Sequence, residues 1–119
     1  MKEGELLNLQ RDSKQKLRGK IIRDPSSIIV AVENGHAVGN VLTVDDGWRA
    51  WIFRLAVRKS HRNRGIGVKL MKEAERRLKN KGYDDVDLFI QVNRGDLLHF
   101  YNQLGYKEFR KWTPMRKKL

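Results

Sequence analysis

The spacing of apolar residues changes abruptly in the middle of this chain. WIFRLAV (51–57) reads as a strand, whereas from Ile66 onward apolar residues fall at 66, 70, 71, 74 and 78, one stripe of a helix that Gly82 closes. Between the two lies HRNRGIG (61–67). A strand, a tight loop and a helix N-terminus in that order present several backbone N–H groups that the helix itself cannot pair, and the helix dipole adds partial positive charge there. Gly65 and Gly67 lack a Cβ, so an anion can approach the amides closely, and Arg62 and Arg64 add charged donors. The loop therefore predicts a phosphate site, although glycines also begin helices for structural reasons alone. It is neither of the two common phosphate loops. A P-loop needs four residues between its glycines followed by Lys-Ser/Thr, and a dinucleotide fingerprint needs GxGxxG with an acidic residue about 20 positions on.

The flanking elements complete an α/β pattern. IIVAVENGHAVGNVLTV (28–44) is two β segments joined by Asn34-Gly35, a strong hairpin signal, and Asp45-Asp46-Gly47 turns the chain again into 48–57. Three antiparallel strands in a meander result. Upstream, 3–10 and 14–22 have helical spacing, with Asp12 or Ser13 as N-cap and Asp24-Pro25 as the stop. Downstream, Val86, Leu88, Ile90 and Val92 alternate as a strand. Asp96 is placed to cap a last helix bearing Leu97, Phe100, Tyr101 and Leu104, with Gly105 after it. One broken or two short strands around Pro114 end the chain. The helix from Ile66 thus crosses over between strands 48–57 and 86–92, giving a mixed sheet, antiparallel first.

A chain of 119 residues predicts one domain, 1–119, with its own core. The absence of Cys removes disulfides, thiolate metal sites and a Cys nucleophile. MKEGELLNLQRDSK lacks a signal peptide's apolar core, and IIVAV is too short to span a bilayer, so the expectation is a soluble, cytoplasmic protein with no membrane partner. Net charge is +12, and residues 58–82 contribute +8 of it, residues 107–119 another +5. Such clusters serve nucleic-acid binding, serve a small polyphosphate ligand, or are only a solvated face, as Lys69, Lys72, Arg76, Arg77, Lys79 and Lys81 could be.

LAV (55–57), four spacer residues and Arg62-Asn63-Arg64-Gly65-Ile66-Gly67 resemble the Arg/Gln-x-x-Gly-x-Gly/Ala signature of the GNAT-type N-acetyltransferases, and HFYNQLGY (99–106) resembles their second signature. The resemblance covers about residues 20–119 and implies a mostly antiparallel GNAT-like sheet with flanking helices. It implies acetyl-CoA as cosubstrate, with no metal, and a primary amine of a small molecule or a protein N-terminus as acceptor. By the same resemblance Arg62, Asn63, Arg64, Gly65, Ile66 and Gly67 hold the pyrophosphate, Leu55, Ala56 and Val57 line the pantetheine with backbone groups, and Tyr101 is the general acid. The family's frequent Asn before the tyrosine corresponds to Arg94, with Asn93 one residue earlier as the cofactor contact. Where some members carry a Glu, strand 51–57 has Arg54; Glu33, Asp45, Asp46 or a relayed water are the alternatives for the base, and His36, His61 and His99 add little. Only 27 residues precede IIVAV, so the family's first strand is expected to be missing or shortened. Net charge favours a neutral or acidic amine over a polyamine. Homodimerisation is left open, and the alternatives are a CoA-binding relative lacking catalysis or a basic module for RNA or DNA, with Trp48, Trp51 and Trp112 to stack bases.

Overall fold

The computed structural model describes residues 14–119, in the element order α1 (Lys14–Arg23), β1 (Ile28–Glu33), β2 (His36–Asp45), β3 (Ala50–Val57), α2 (Ile66–Asn80) and α3 (Gly95–Gln103). The expected helix 3–10, the Asp12 or Ser13 cap and the question of an earlier strand lie outside the described residues. Contacts divide the chain into two units, one running to Phe89 and one from Ile90.

In the first unit, local turn chemistry sets the sheet. Asn34 and Gly35 both take left-handed φ values, 53° and 79°, the conformation a tight two-residue hairpin requires, so β1 and β2 pair antiparallel. Asp46 makes the next turn, accepting from the backbone N–H groups of Trp48 (2.9 Å) and Arg49 (2.8 Å). The order is β1-β2-β3, with β2 in the middle and Val38–Thr43 buried along it.

α2 lies across one face of this sheet. Its Leu70, Met71, Ala74 and Leu78 are buried on the predicted stripe, each large side chain contributing about 1.5–3 kcal/mol by leaving water. Gly39 permits the close approach, since a Cβ there would stand 3.0 Å from both Leu70 Cδ1 and the Ala56 carbonyl oxygen. At the far end Gly82 donates to Lys79 O and Tyr83 to Leu78 O, closing the helix as a Schellman motif. Lys81 Nζ binds Asp24 and, at 2.9 Å, Asp45, tying that end to the loop before β1 and to the last residue of β2.

The strand expected over 86–92 does not form. Asp87 alone pairs with β3, in a parallel bridge to Trp51: Ile52 N–H donates to Asp87 O and Asp87 N–H donates to Ala50 O, each at 3.0 Å. The sheet is mixed, but its parallel part is one bridge long. β3 carries a bulge just beyond, which bends the strand away from a straight neighbour. Trp48 and Arg49 also belong to the turn rather than to β3.

The second unit is built around α3. Arg94, not Asp96, stands at its N-cap; Asp96 sits in the first turn with its carboxylate held by Arg94 Nε and Nη2, both at 3.0 Å. A second Schellman motif, Gly105 N–H to Asn102 O and Tyr106 N–H to Tyr101 O, ends the helix. The expected strands around Pro114 are absent, and 107–119 is exposed throughout. Pro114 removes a ladder donor, and the excess of basic residues in this segment opposes close pairing.

Candidate functional site

β3 changes direction at Arg54. The β2–β3 register runs Asn40↔Ala56 and then Leu42↔Phe53, so two residues of β3, Arg54 and Leu55, stand opposite Val41 alone. Arg54 has φ 53°, a left-handed value that costs an L-residue about 1–2 kcal/mol. Asn40, buried in the middle strand, donates from Nδ2 to the Arg54 carbonyl at 2.7 Å, and a hydrogen bond of this kind contributes about 0.5–1.5 kcal/mol.

The bulge decides which backbone groups face outward. Ile52 N–H points away from β2, to Asp87 O, whereas Arg58 N–H points toward β2, to Val38 O at 2.8 Å. Six residues apart on a regular strand the two would point the same way; the extra residue reverses the alternation. Leu55 and Val57 therefore turn their N–H groups away from β2, and Ala56 packs inward, buried against the core. Among the described residues of this unit, the Asp87 bridge is the only backbone pairing on the outer edge of β3.

The loop follows directly. Lys59–His61 forms a 3-10 turn, Arg58 Nε donates to Ala37 O (2.8 Å), and Arg62 Nε donates to Val57 O (3.1 Å), folding the loop back on the outward edge of β3. Asn63 and Gly65 adopt φ 63° and 79°, and Gly65 is the N-cap of α2 with no side-chain cap bond. The space where its Cβ would be is open to 4 Å. Left-handed residues in alternation turn successive N–H groups inward on one concavity, so Ile66 and Gly67 lead a cradle suited to an anion. This unit thus brings together Leu55, Ala56, Val57, Arg62, Asn63, Arg64, Gly65, Ile66 and Gly67. Asn93, with φ 72°, and Tyr101 belong to the second unit, where the Tyr101 ring packs edge-on to Phe100 (5.0 Å) and to Tyr106 (5.9 Å).

Much of the basic excess near the loop is engaged. Arg64 pairs with Glu33, and His61 Nε2 stands 3.7 Å from the same carboxylate. Arg76 and Arg77 both hold Glu73, and Arg77 also donates to Ser26 O. The Arg76 and then the Arg77 guanidinium bring the Glu73 carboxyl down to about 2. The candidate bases are occupied too: Asp45 accepts from Lys81 and from the Tyr83 hydroxyl, and the backbone N–H of Arg49 and then that of Trp48 lower the Asp46 carboxyl below its usual range. No group of three or more His, Asp or Glu stands together as a metal site among the described residues. Nor is any described helix long and apolar enough to cross a membrane. An open hollow of about 330 Å³ lies between Val44, Trp51, Ile52, Phe53 and Phe89.

Reasoning from the sequence missed two residues of this site, Arg54 as the bulge and Asn40 as its anchor. No local signal marks an arginine for a left-handed conformation. Asn40 did carry one, as an amide side chain within the apolar run AVGNVL (37–42).

The pattern of the acetyltransferase (GNAT) family matches residues 3–106. An acetyltransferase of Pectobacterium atrosepticum is 29% identical over 103 residues, 87% of this chain and 73% of that protein. A transcriptional regulator of Bacillus halodurans superposes with a TM-score of 0.71 at 29% identity, over 87% of this chain and 75% of its own. The PaiA N-acetyltransferase of Thermoplasma acidophilum, solved in complex with coenzyme A, gives 0.72 at 26% identity, over 83% of this chain and 65% of its own. The family's pattern runs through β3, the loop and α2 alike, and this chain belongs to the acetyltransferase (GNAT) family of acyltransferase enzymes.

Proposed function

We propose that the chain moves an acetyl group from acetyl-CoA to a primary amine, borne by a small molecule or a protein N-terminus. The observation that carries this reading is the continuity of the outward-facing backbone at Leu55 and Val57 with the glycine-capped, open start of α2. The coenzyme A held by the Thermoplasma relative supports the same ligand. The loop 62–67 fits a pyrophosphate, because the position of a Gly65 Cβ is open space and two arginines flank it.

Acetyl-CoA supplies the activated thioester; the residues of this chain do the rest. The 62–67 amides, with Arg62 and Arg64, bind the pyrophosphate, and Asn93 adds a contact. Leu55, Ala56 and Val57 align the extended arm along β3. One outward N–H of Leu55 or Val57 donates to the thioester oxygen, where negative charge grows as the neutral amine attacks the carbonyl carbon. As the new C–N bond forms and the C–S bond breaks, the Tyr101 hydroxyl, by the family resemblance, gives its proton to the departing sulfur, and solvent returns a proton to the phenolate. With Asp45 and Asp46 already bound to other groups and Glu33 set against Arg64 and His61 of the phosphate loop, water takes the amine's proton. The apolar hollow beside Trp51 and Phe53 suits an acceptor with an apolar side, and the net charge of +12 disfavours a polyamine.

Calorimetric titration with acetyl-CoA and with CoA, followed by thiol release against a panel of amines, tests this. Saturation at one equivalent and amine-dependent thiol release are expected. No heat and no thermal shift would overturn it, and binding without thiol release from any amine would leave a CoA-binding relative. Steeply salt-dependent binding to RNA or DNA in place of CoA would favour the basic-module alternative.

A further inference from the structure

We propose that Asn40 is a positioning residue for acetyl transfer: its buried carboxamide holds Arg54 in the left-handed conformation and so sets the outward direction of the Leu55 and Val57 amides. This inference rests on the reading just given, in which those amides meet the thioester and its arm.

The side chain sits where an apolar one would otherwise be expected. Val38, Val41 and Leu42 around it on β2 are buried and apolar, and Asn40 is itself only 3% exposed. A buried amide must find partners, and no buried side-chain polar atom among the described residues is left without one. What Nδ2 binds is the carbonyl of the one β3 residue with positive φ, at 2.7 Å. β2 is the middle strand, paired on both sides, so its Cα positions are fixed by two ladders. An anchor on that strand transmits the rigidity of the sheet to the bulge. Without it Arg54 can relax toward an ordinary extended conformation, which slides the bulge or removes it. Loss of the bulge shifts the register of every residue beyond it by one, which turns the Leu55 and Val57 N–H groups toward β2 and that of Ala56 outward. The phosphate cradle begins five residues beyond Val57 and has a support that does not depend on β3, the start of α2.

Turnover and cofactor affinity should therefore separate. In Asn40→Ala, kcat for thiol release is expected to fall by about 10- to 100-fold, the scale of a misplaced catalytic group, while the CoA Kd, which keeps the pyrophosphate contacts and loses only the arm's bonds to β3, rises by a smaller factor of about three- to tenfold. Asn40→Asp keeps the volume but presents an acceptor to a carbonyl; it should lose a similar factor near neutral pH and recover relative to wild type as acid protonates the new carboxyl. Arg54→Gly added to Asn40→Ala should restore about a third or more of wild-type kcat, because glycine takes positive φ without an anchor. In the protein without ligand, the Leu55 and Val57 amide resonances should shift in Asn40→Ala and return in the double variant. Folded Asn40→Ala or Asn40→Asp with kcat within about twofold of wild type, equal loss of kcat and melting temperature without rescue by Arg54→Gly, or unmoved Leu55 and Val57 amides would each overturn the proposal. A wild-type protein that binds no acetyl-CoA would instead overturn the acetyl-transfer reading, and the amide resonances would still decide the role of Asn40.

Discussion

Arg64 Nη2 stands 3.0 Å from Glu33 Oε2, joining the loop before α2 to the β1–β2 hairpin. The arginine that the loop would offer to phosphate thus already has a carboxylate partner. Both side chains are largely exposed, 51% and 37%, so the pair is worth only about 0–1 kcal/mol and can open for a ligand. Glu33→Gln is expected to release Arg64 and tighten CoA binding by about two- to fivefold at low ionic strength, an advantage that salt erodes. Arg64→Ala should weaken binding by about 1–3 kcal/mol. Calorimetry on the two variants checks both, and weaker binding in Glu33→Gln would mean that the carboxylate aims Arg64 at the phosphate rather than withholding it.

The two glycines of the loop should respond differently. Gly67 lies in the first turn of α2, where alanine removes unfolded-state freedom and favours the helix by about 0.5–1 kcal/mol. Gly67→Ala should thus melt higher by about 2–6 °C and yet bind CoA at least about tenfold more weakly, since its methyl intrudes on the anion's approach. Gly65 at φ 79° tolerates asparagine better than valine. Gly65→Asn should keep the fold and lose CoA affinity, whereas Gly65→Val should lose stability as well, as thermal melts and titrations would separate. A Gly67→Ala protein with full affinity would place the pyrophosphate elsewhere.

What the sequence made legible was local. Asn34-Gly35, the Asp46 turn and the stripe 66, 70, 71, 74, 78 each carry their conformation within a few residues, and they fixed the meander and α2. The Gly82 and Gly105 helix ends were legible for the same reason. The strand expected over 86–92 alternates correctly, but a strand needs a straight edge to pair with, and the bulge at Arg54 takes that edge away after Asp87. Asp96 looked like a cap, yet Arg94 claims its carboxylate from two residues before. Arg62, Arg64 and the glycines stand out as a candidate loop through their spacing, while Asn40 reaches Arg54 across strands 14 residues apart and Glu33 reaches Arg64 across 31. Pairings at that separation follow from the folded sheet, and neither neighbourhood names the partner.

Acid should reveal the Glu73 clamp. Its carboxyl is held at about 2, first by Arg76 and then by Arg77, against an ordinary value of 4.5. A carboxylate whose folded pKa is depressed stabilises the fold at pH above 4.5, and that contribution is lost as pH falls from there toward 2. Glu73→Gln should therefore flatten the pH dependence of stability between those values and lower stability only slightly near neutrality, the pair being exposed. Urea melts of both proteins across that range are the measurement; parallel curves would show that the clamp does not contribute.

Tyr101→Phe should lower turnover far more than it lowers acetyl-CoA affinity. The ring lies edge-on to Phe100 and Tyr106, and phenylalanine keeps both contacts, so α3 and its Schellman end should persist. What is removed is one hydroxyl. A general acid supplies about 10²–10⁴-fold in rate, whereas one ordinary hydrogen bond to a bound cofactor is worth about 0.5–1.5 kcal/mol. Single-turnover thiol release beside CoA calorimetry separates the two roles, and the rate loss should ease with acceptors or leaving thiols that need less proton donation. Equal losses in binding and turnover would make Tyr101 a cofactor contact. No loss in either would leave the hydroxyl without a catalytic role and the sulfur to take its proton from water.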